Sequence, residues 1–125
     1  DVFYNVNLTR ANLEGRDLHQ SKFKQVNFTK AKLSNIILSE SKVLGSTFNG
    51  ANLSNANLTN STFENCDFSN ADLRGADLRK TRFINIKYDN IIIDEKTKGI
   101  ENLKIDNPIH WYFSNMFYIV EKVRP

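Results

Sequence analysis

The sequence contains one cysteine, two histidines and two prolines, and each scarcity excludes a class of protein. Cys66 alone cannot build a disulfide scaffold, and His19 and His110 add too few ligands for a closed zinc site. No apolar run approaches the roughly 20 residues that a membrane-spanning helix needs, and no signal segment opens the chain. The net charge of +3 over 125 residues is small and does not indicate a nucleic-acid binder. These numbers leave one domain with its own hydrophobic core.

An apolar or aromatic residue, which we call a centre, recurs at every fifth position from Phe3 to Ile93. All nineteen positions of this series are apolar or aromatic. Neither the helical period of 3.6 nor the strand period of 2 explains a period of five. The residue two places before each centre is usually small, as Ala51 and Ala56 are. One large and one small inward residue in every five predict a narrow interior without voids.

Glycine and asparagine mark the expected corners of the chain. Gly15, Gly45, Gly50 and Gly75 stand two places after a centre, and asparagine takes the same place eight times. These residue types tolerate the backbone conformations that tight corners require. No proline precedes Pro108, so every N–H group before it is available for pairing. Each pentad therefore predicts a short extended piece followed by a corner.

A longer period of twenty appears when the centres are sorted by type. Centres twenty residues apart share their chemistry: phenylalanines dominate two series, and leucines dominate the other two. Side chains that stack on their own kind at this spacing predict four pentads, and hence four faces, in each coil. Residues 1–95 hold nineteen pentads, or between four and five coils. Stacked aromatic pairs would stabilise such a column beyond the burial of their area.

The five-residue motif A-[DN]-L-x-x resembles that of the pentapeptide-repeat family. It occurs at residues 11–13, 51–53, 56–58, 71–73 and 76–78. The resemblance covers about three quarters of the chain and implies an all-β solenoid, a right-handed four-sided parallel β-helix. It implies little about activity, since the family includes topoisomerase-inhibiting DNA mimics, secreted bacterial effectors and lumenal proteins. Because Asp1 lies within the repeat, we expect a processed or truncated piece of a larger, secreted or effector protein, or preceding residues that continue the coil.

The pentads stop at Lys96, and residues 96–107 are expected to form a linker or turns. Asn107 followed by Pro108 is typical of a helix start. On a helical wheel the apolar residues that follow fall within one arc, so we predict an amphipathic α-helix over 108–123. It would either cap the last coil or form a dimer interface. The residues of that face are Tyr112, Phe113, Met116, Phe117, Ile119, Val120 and Val123.

No group of residues in the sequence predicts catalysis, a metal ion or a cofactor. His19 occupies an outward position without an evident nucleophile beside it, and Cys66 takes the small inward position of an inert buried thiol. Asp67, Asp72 and Asp77 recur every five residues, so they lie on successive faces and cannot converge on one metal ion. We therefore expect a protein that is not an enzyme.

Apolar residues in outward positions are the candidate partner surface. These are Ile37, Leu44 and Ile84 in the repeat, with Trp111 and Tyr118 on the polar side of the predicted helix. Exposed apolar residues indicate a binding surface only where they form a contiguous patch. We expect a protein partner or a homodimer, no membrane span, and a role as an interaction or scaffold domain.

Two roles involving nucleic acid are less well supported by the charges. A DNA mimic that modulates a topoisomerase is the alternative function, but residues 1–95 hold twelve Lys and Arg against eleven Asp and Glu. Direct binding of nucleic acid would need a basic stripe. The nearest candidate stripe is interrupted by Glu64, and it comprises Lys22, Lys24, Lys42 and Arg82.

Overall fold

The computed structural model describes residues 1–104, 111–114 and 117–120. Its most regular face, which we call face 1, is a stack of five parallel three-residue strands in which each pairs with the next. Phe3 lies opposite Phe23, and the same register of twenty continues to Phe63 opposite Phe83. The strands are β1 (Val2–Tyr4), β2 (Lys22–Lys24), β3 (Lys42–Leu44), β4 (Thr62–Glu64) and β5 (Arg82–Ile84). One coil is therefore twenty residues long, as predicted.

The other three faces are held by single parallel bridges with the same register. They begin with Asn7 opposite Asn27 on face 2, Asn12 opposite Lys32 on face 3, and Asp17 opposite Ile37 on face 4. Backbone hydrogen bonds join successive coils at each step, for example from the N–H of Leu33 to the carbonyl of Asn52 at 2.8 Å. The predicted fold is confirmed as a parallel β-solenoid of about four turns.

The corners of the solenoid are left-handed backbone positions. Every fifth residue from Asn5 to Asn90 has a positive φ. Glycine and asparagine tolerate this region, and the sequence predicted them there. Arginine, lysine, glutamine and glutamate occupy the same positions at Arg10, Lys30 and elsewhere, although a Cβ makes this conformation costly. The hydrogen bonds between coils therefore hold the corner geometry even where the residue type opposes it.

The core consists of stacked side chains in columns. The ring of Phe48 lies 4.7 Å from those of Phe28 and Phe68, at interplanar angles of 10° and 1°. Leucine columns fill the opposite side, and Leu33 and Leu53 are fully buried. Rings that stay nearly parallel leave little room for rotation between neighbouring coils. The columns on the surface therefore run almost straight along the axis.

Small polar residues occupy several of the second inward positions, and most of their hydroxyls form hydrogen bonds within the solenoid. The hydroxyl of Ser46 accepts from the N–H of Val26 and donates to the carbonyl of Leu44, both at 3.1 Å. Thr81 donates to the carbonyl of Leu58 at 2.7 Å. Buried hydroxyls with such partners are tolerated in an apolar interior. The interior can thus take serine or threonine in place of alanine where the hydroxyl reaches a backbone carbonyl.

The last coil departs from the register by one residue. Lys98 pairs with Asp77, twenty-one residues earlier, and not with a residue twenty earlier. A 3-10 turn, Ile100–Leu103, follows and buries Leu103. Residues 96–104, which the sequence assigned to a linker or turns, therefore pack on the end of the solenoid. The division of the chain into domains otherwise stays a prediction.

The α-helix predicted over 108–123 is not confirmed. The described parts of this segment are β7 (Trp111–Ser114) and β8 (Phe117–Val120), which are antiparallel to each other. β8 also pairs with β6 (Ile91–Ile93), which places it in the middle of a three-stranded sheet. Residues 105–110, 115–116 and 121–125, with the predicted helix start, Met116 and Val123, lie outside the described residues.

The error has a physical reason. The segment is rich in aromatic and β-branched residues, which favour strands, and a short apolar run cannot be assigned to helix or strand by periodicity alone. The edge of β6 also offers backbone groups that a strand can satisfy and a helix cannot. Whether the segment caps the coil or forms a dimer stays a prediction. Within residues 1–104, 111–114 and 117–120, the structure has no helix with the length and apolar character to cross a bilayer.

The phenylalanine columns should carry much of the stability. We expect Phe48→Ala to lower the free energy of unfolding by about 3–5 kcal/mol, because it removes a fully buried ring stacked on both sides. Phe3→Ala is the matched control, since Phe3 is only partly buried and stacks on Phe23 alone. Urea denaturation followed by circular dichroism measures both. Equal losses for the two variants would contradict a continuous core column.

Glycine should be required at position 99 because the backbone of Leu78 lies close to it, and not only because its φ is 75°. A Cβ on Gly99 would lie 2.6 Å from the carbonyl carbon of Leu78, whereas a Cβ on Gly15, at a φ of 69°, would meet nothing within 4 Å. We expect Gly99→Ala to be clearly more destabilising than Gly15→Ala, because backbone cannot yield as a flexible side chain can. Melting temperatures of the two variants test this, and similar values would show that only the dihedral angle matters.

Candidate functional site

Face 1 presents two straight columns of outward side chains. The register of β1 to β5 places the residue before each centre in one column and the residue after it in the other. Neighbouring strands are about 4.8 Å apart, so side chains in one column are direct neighbours. The first column holds Val2, Lys22, Lys42, Thr62 and Arg82, and the second holds Tyr4, Lys24, Leu44, Glu64 and Ile84.

Four exposed cations stand on face 1, against the single carboxylate of Glu64 within its strands. Lys22 and Lys42 are directly opposite in register, where like charges repel. Lys24 lies with its Nζ 5.6 Å from the centroid of the Tyr4 ring, a cation–π contact. Among the residues described, the ion pairs involve none of Lys22, Lys24, Lys42 or Arg82. Face 1 is therefore a surface of uncompensated positive charge.

Two carboxylates on faces 3 and 4 are paired with arginines. Arg74 pairs with Asp72, and Arg79 pairs with Asp77, each with an Nη2–Oδ2 distance of 2.6 Å. The hydrogen bond from Arg79 lowers the pKa of Asp77, and the bond to Asp72 raises the pKa of Arg74. These pairs cancel charge within their own faces. The described strands of face 1 have no such pair and hold four cations against one carboxylate.

A groove of about 660 Å³ runs along the corner between faces 1 and 2. Four successive coils line it, through residues 25–27, 45–47, 65–67 and 85–87. Gly45 leaves a gap in the row of amide side chains formed by Gln25, Asn65 and Asn85. Face 1 and this groove are continuous, because the corner residue directly follows the second column. We call the two together the interaction surface.

The structure brings together two of the predicted partner-surface residues and separates a third. Leu44 and Ile84 share the second column of face 1, with Glu64 between them, and both are half-buried. Ile37 is half-buried on face 4, where it pairs with Asp17 and Asn57. The five residues are therefore not one patch. Their role in partner binding stays a prediction.

The remaining predicted residues lie near the end of the chain. Trp111 belongs to β7 and pairs with Val120, and Tyr118 belongs to β8 and pairs with Phe113. The predicted dimer or cap face is distributed over the same two strands, which carry Tyr112, Phe113, Phe117, Ile119 and Val120. Met116 and Val123 lie outside the described residues. The arrangement as one helical face is lost, since these residues belong to two antiparallel strands.

Sequence reasoning missed Tyr4 as a member of the surface. Its side chain is 57% exposed and stands in the column of Leu44 and Ile84. The sequence contains the information needed to find Tyr4, because the period of twenty places residues 4, 44 and 84 in one column. The groove had no comparable signal, since it depends on the shape of the corner at Gly45 and its neighbours.

Two reactive residue types have partners that do not form an active site. The Nδ1 atom of His19 lies 2.7 Å from the Oδ1 of Asp17, a partner that the sequence analysis did not assign, and this contact lowers the pKa of Asp17. The Sγ of Cys66 is buried and lies 3.4 Å from the carbonyl of Glu64. Burial raises the pKa of the Cys66 thiol to about 11. Within the described part of the chain, no three His, Cys, Asp or Glu residues are grouped to hold a metal ion.

Comparison with known proteins identifies the repeat. The chain matches a family model described as a pentapeptide repeat region over residues 16–93. A pentapeptide repeat protein from the Arabidopsis thaliana thylakoid lumen is 22% identical with a TM-score of 0.49, over 78% of this chain and 77% of that one. Another, from the cyanobacterium Cyanothece 51142, is 26% identical with a TM-score of 0.36, over 78% and 86% of the two chains.

QnrB1, a plasmid-mediated fluoroquinolone resistance protein, is also similar in structure. It is 23% identical with a TM-score of 0.42, and the match covers 72% of this chain. The chain spans only 43% of the QnrB1 chain. No curated protein gives a significant match. The family model and the two pentapeptide repeat proteins described above do not indicate a catalytic family.

The Cys66 thiol should be unreactive in the folded protein. Its pKa of about 11 against an ordinary 9.0 leaves about 100-fold less thiolate at pH 8, so alkylation by iodoacetamide should be slower by at least that factor than in guanidinium chloride. The raised pKa also means that stability falls as the pH rises from 9 towards 11, because the unfolded thiol ionises first. Cys66→Ser, which copies Ser46 in the same column, should lose less stability over that range. Rapid alkylation of the native protein at pH 8 would contradict a buried thiol.

Proposed function

Because the chain belongs to the pentapeptide-repeat family, we propose that it is a non-enzymatic interaction or scaffold domain whose partner is a protein. The interaction surface is the part of the molecule that would make the contact. The observation that carries this proposal is the combination of uncompensated cations with Leu44 and Ile84 at the rim of a groove. Polar and apolar groups on one flat face are what a protein interface requires.

The fold supports such a role because it presents the surface rigidly. Every strand of face 1 is hydrogen-bonded to its neighbours, and the rings behind it stack with interplanar angles of 6° between Phe3 and Phe23 and 14° between Phe63 and Phe83. A surface that is already ordered loses little conformational entropy when a partner binds. A solenoid of this kind is therefore suited to hold a partner in a fixed orientation.

Enzymatic activity is not supported by the described residues. Asp17 and His19 form a hydrogen-bonded pair, but both are exposed on face 4 and outside the groove. Cys66 lines the groove, and its raised pKa keeps it protonated at neutral pH. His19 is hydrogen-bonded to Asp17, and the thiol of Cys66 is directed at backbone carbonyls, so neither forms a nucleophile–base pair.

The alternative function, a DNA mimic that modulates a topoisomerase, is opposed by the charges on the surface. A mimic must present carboxylates in place of phosphates, whereas face 1 is cationic. The carboxylates of Asp72 and Asp77 are engaged by arginines. We therefore place the alternative second, and a supercoiling assay with DNA gyrase distinguishes it, because a mimic inhibits the reaction and an interaction domain of this charge does not.

The proposal predicts that partner contact is confined to face 1. A photo-crosslinking amino acid at position 44 should label a specific protein in a lysate, whereas the same group at position 54 should not, because Ser54 takes the equivalent place on the opposite face. Unlabelled wild-type protein should compete for this adduct, and Leu44→Asp should compete poorly while keeping its melting temperature within a few degrees. Labelling analysed by mass spectrometry, with light scattering to detect a homodimer, measures the outcome. Equal labelling from both positions, or full competition by Leu44→Asp, would overturn the assignment of face 1.

A further inference from the structure

We propose that the interaction surface binds an acidic amphipathic α-helix of a protein partner, laid along the axis of the solenoid. This inference rests on the proposed function and names the chemistry of the partner. Three features of face 1 carry it: the sign of its charge, the spacing of its columns and the separation of its two apolar residues.

The positive charge of face 1 favours a partner that carries carboxylates. Lys22 and Lys42 stand in adjacent strands, Arg82 continues the same column, and within the described residues no ion pair reaches any of the three. Repulsion between neighbouring cations is relieved when an anion binds between them. Carboxylates on a partner would meet this column at the coils of Lys22, Lys42 and Arg82, with Thr62 between the last two.

The spacing of the columns fits a helix. Successive coils are about 4.8 Å apart, and successive turns of an α-helix are about 5.4 Å apart. A helix that follows the axis therefore presents about one residue to each coil, at positions three or four apart in its sequence. The mismatch of about 0.6 Å per coil adds up to about 2 Å between Lys22 and Arg82, which long flexible side chains can absorb. The columns of face 1 are straight enough for this match because β1 to β5 keep one register of twenty, and the rings behind them stack at 6° between Phe3 and Phe23 and 14° between Phe63 and Phe83.

The second column fits the apolar stripe of the same helix. Leu44 and Ile84 are two coils apart, or about 9.6 Å, and residues seven apart on a helix are separated by about 10.5 Å. Glu64 lies between Leu44 and Ile84, so the partner helix should have one basic or polar residue between its two apolar residues. The expected helix thus carries acidic residues in one stripe, apolar residues at i and i+7 in the next, and a cation between the apolar pair.

Nucleic acid is the other class of polyanion, and the second column disfavours it. The carboxylate of Glu64 would repel a phosphate group. The aliphatic side chains of Leu44 and Ile84 cannot form a hydrogen bond or an ion pair with it. Single strands bind on exposed aromatic rings, and on the described strands of face 1 the exposed aromatic is Tyr4, already covered by Lys24. The surface is mixed in character, as protein partners require, and is not a continuous basic stripe.

A designed peptide tests the inference. The probe is a fluorescein-labelled five-turn helical peptide with glutamates in one stripe, leucines at i and i+7 in the next, and one lysine between the leucines. Its controls are a peptide of equal composition with the stripes scrambled, and a labelled DNA duplex of similar length. Fluorescence anisotropy at low and high salt should show that the designed peptide binds the full chain more tightly than either control, with affinity falling as salt rises.

Matched variants separate a specific surface from general positive charge. Lys22→Gln with Lys42→Gln should weaken binding of the designed peptide by about tenfold or more. Lys30→Gln with Lys32→Gln removes the same charge from exposed positions away from face 1 and should change affinity by less than about twofold. Lys42→Glu should lose binding to the designed peptide and regain it with a peptide in which the facing glutamate is replaced by lysine.

Each contrary result has a distinct meaning. Equal binding of the scrambled peptide, equal losses in the two lysine pairs, or tighter binding of the duplex would overturn the acidic-helix partner. If the peptide fails while position 44 still gives a specific adduct, the proposed function stands and its partner has another chemistry. If both fail, face 1 is not an interaction surface.

Discussion

The structure depends on one constraint, the hydrogen bonding of each coil to the next at a separation of twenty residues. The N–H of Lys32 donates to the carbonyl of Ala11, and that of Asn52 donates to the carbonyl of Ala31, so every coil repeats the same contacts. An extra residue must be absorbed within its own coil if later side chains are to keep their columns, as in the last coil, where Lys98 pairs with Asp77. This explains why the repeat keeps its length through nineteen centres and why unfavourable residues such as Lys30 and Glu40 adopt positive φ at corners.

The same register turns residues that are distant in the sequence into a surface. Lys22, Lys42 and Arg82 are spread over sixty residues and lie in one column with Thr62, because the coil length places residues twenty apart beside each other. A column can therefore change its character by single substitutions at twenty-residue intervals, without any change in the fold. On faces 3 and 4 some ion pairs join the two columns of one face, as Asp72 and Arg74 do across Leu73. Among the described residues, the cations of face 1 form no ion pair.

The sequence was sufficient for the parts of the fold that repeat. Phenylalanine and leucine columns, small inward residues and left-handed corners follow from local rules applied at a known period, so the solenoid and the burial of Cys66 could be predicted. The C-terminal segment could not, because its strands β7 and β8 depend on the edge of β6 and not on a local period. Face 1 was recognisable as a column of cations, but its continuity with a groove beside Gly45 required the three-dimensional corner.

Neighbouring lysines in register weaken a parallel sheet, and the chain has an evident means to avoid this. The repeat already pairs Arg79 with Asp77 two residues apart, across a single centre. A carboxylate in the same relation to Lys22 or Lys42, across Phe23 or Val43, would pair with that lysine and lower the positive charge of face 1. Face 1 instead keeps Lys22 opposite Lys42, with Leu44 half-buried beside them. Face 1 thus keeps a charge arrangement that does not favour stability, beside a groove and on the most regular face. This supports the proposal that the surface serves a partner.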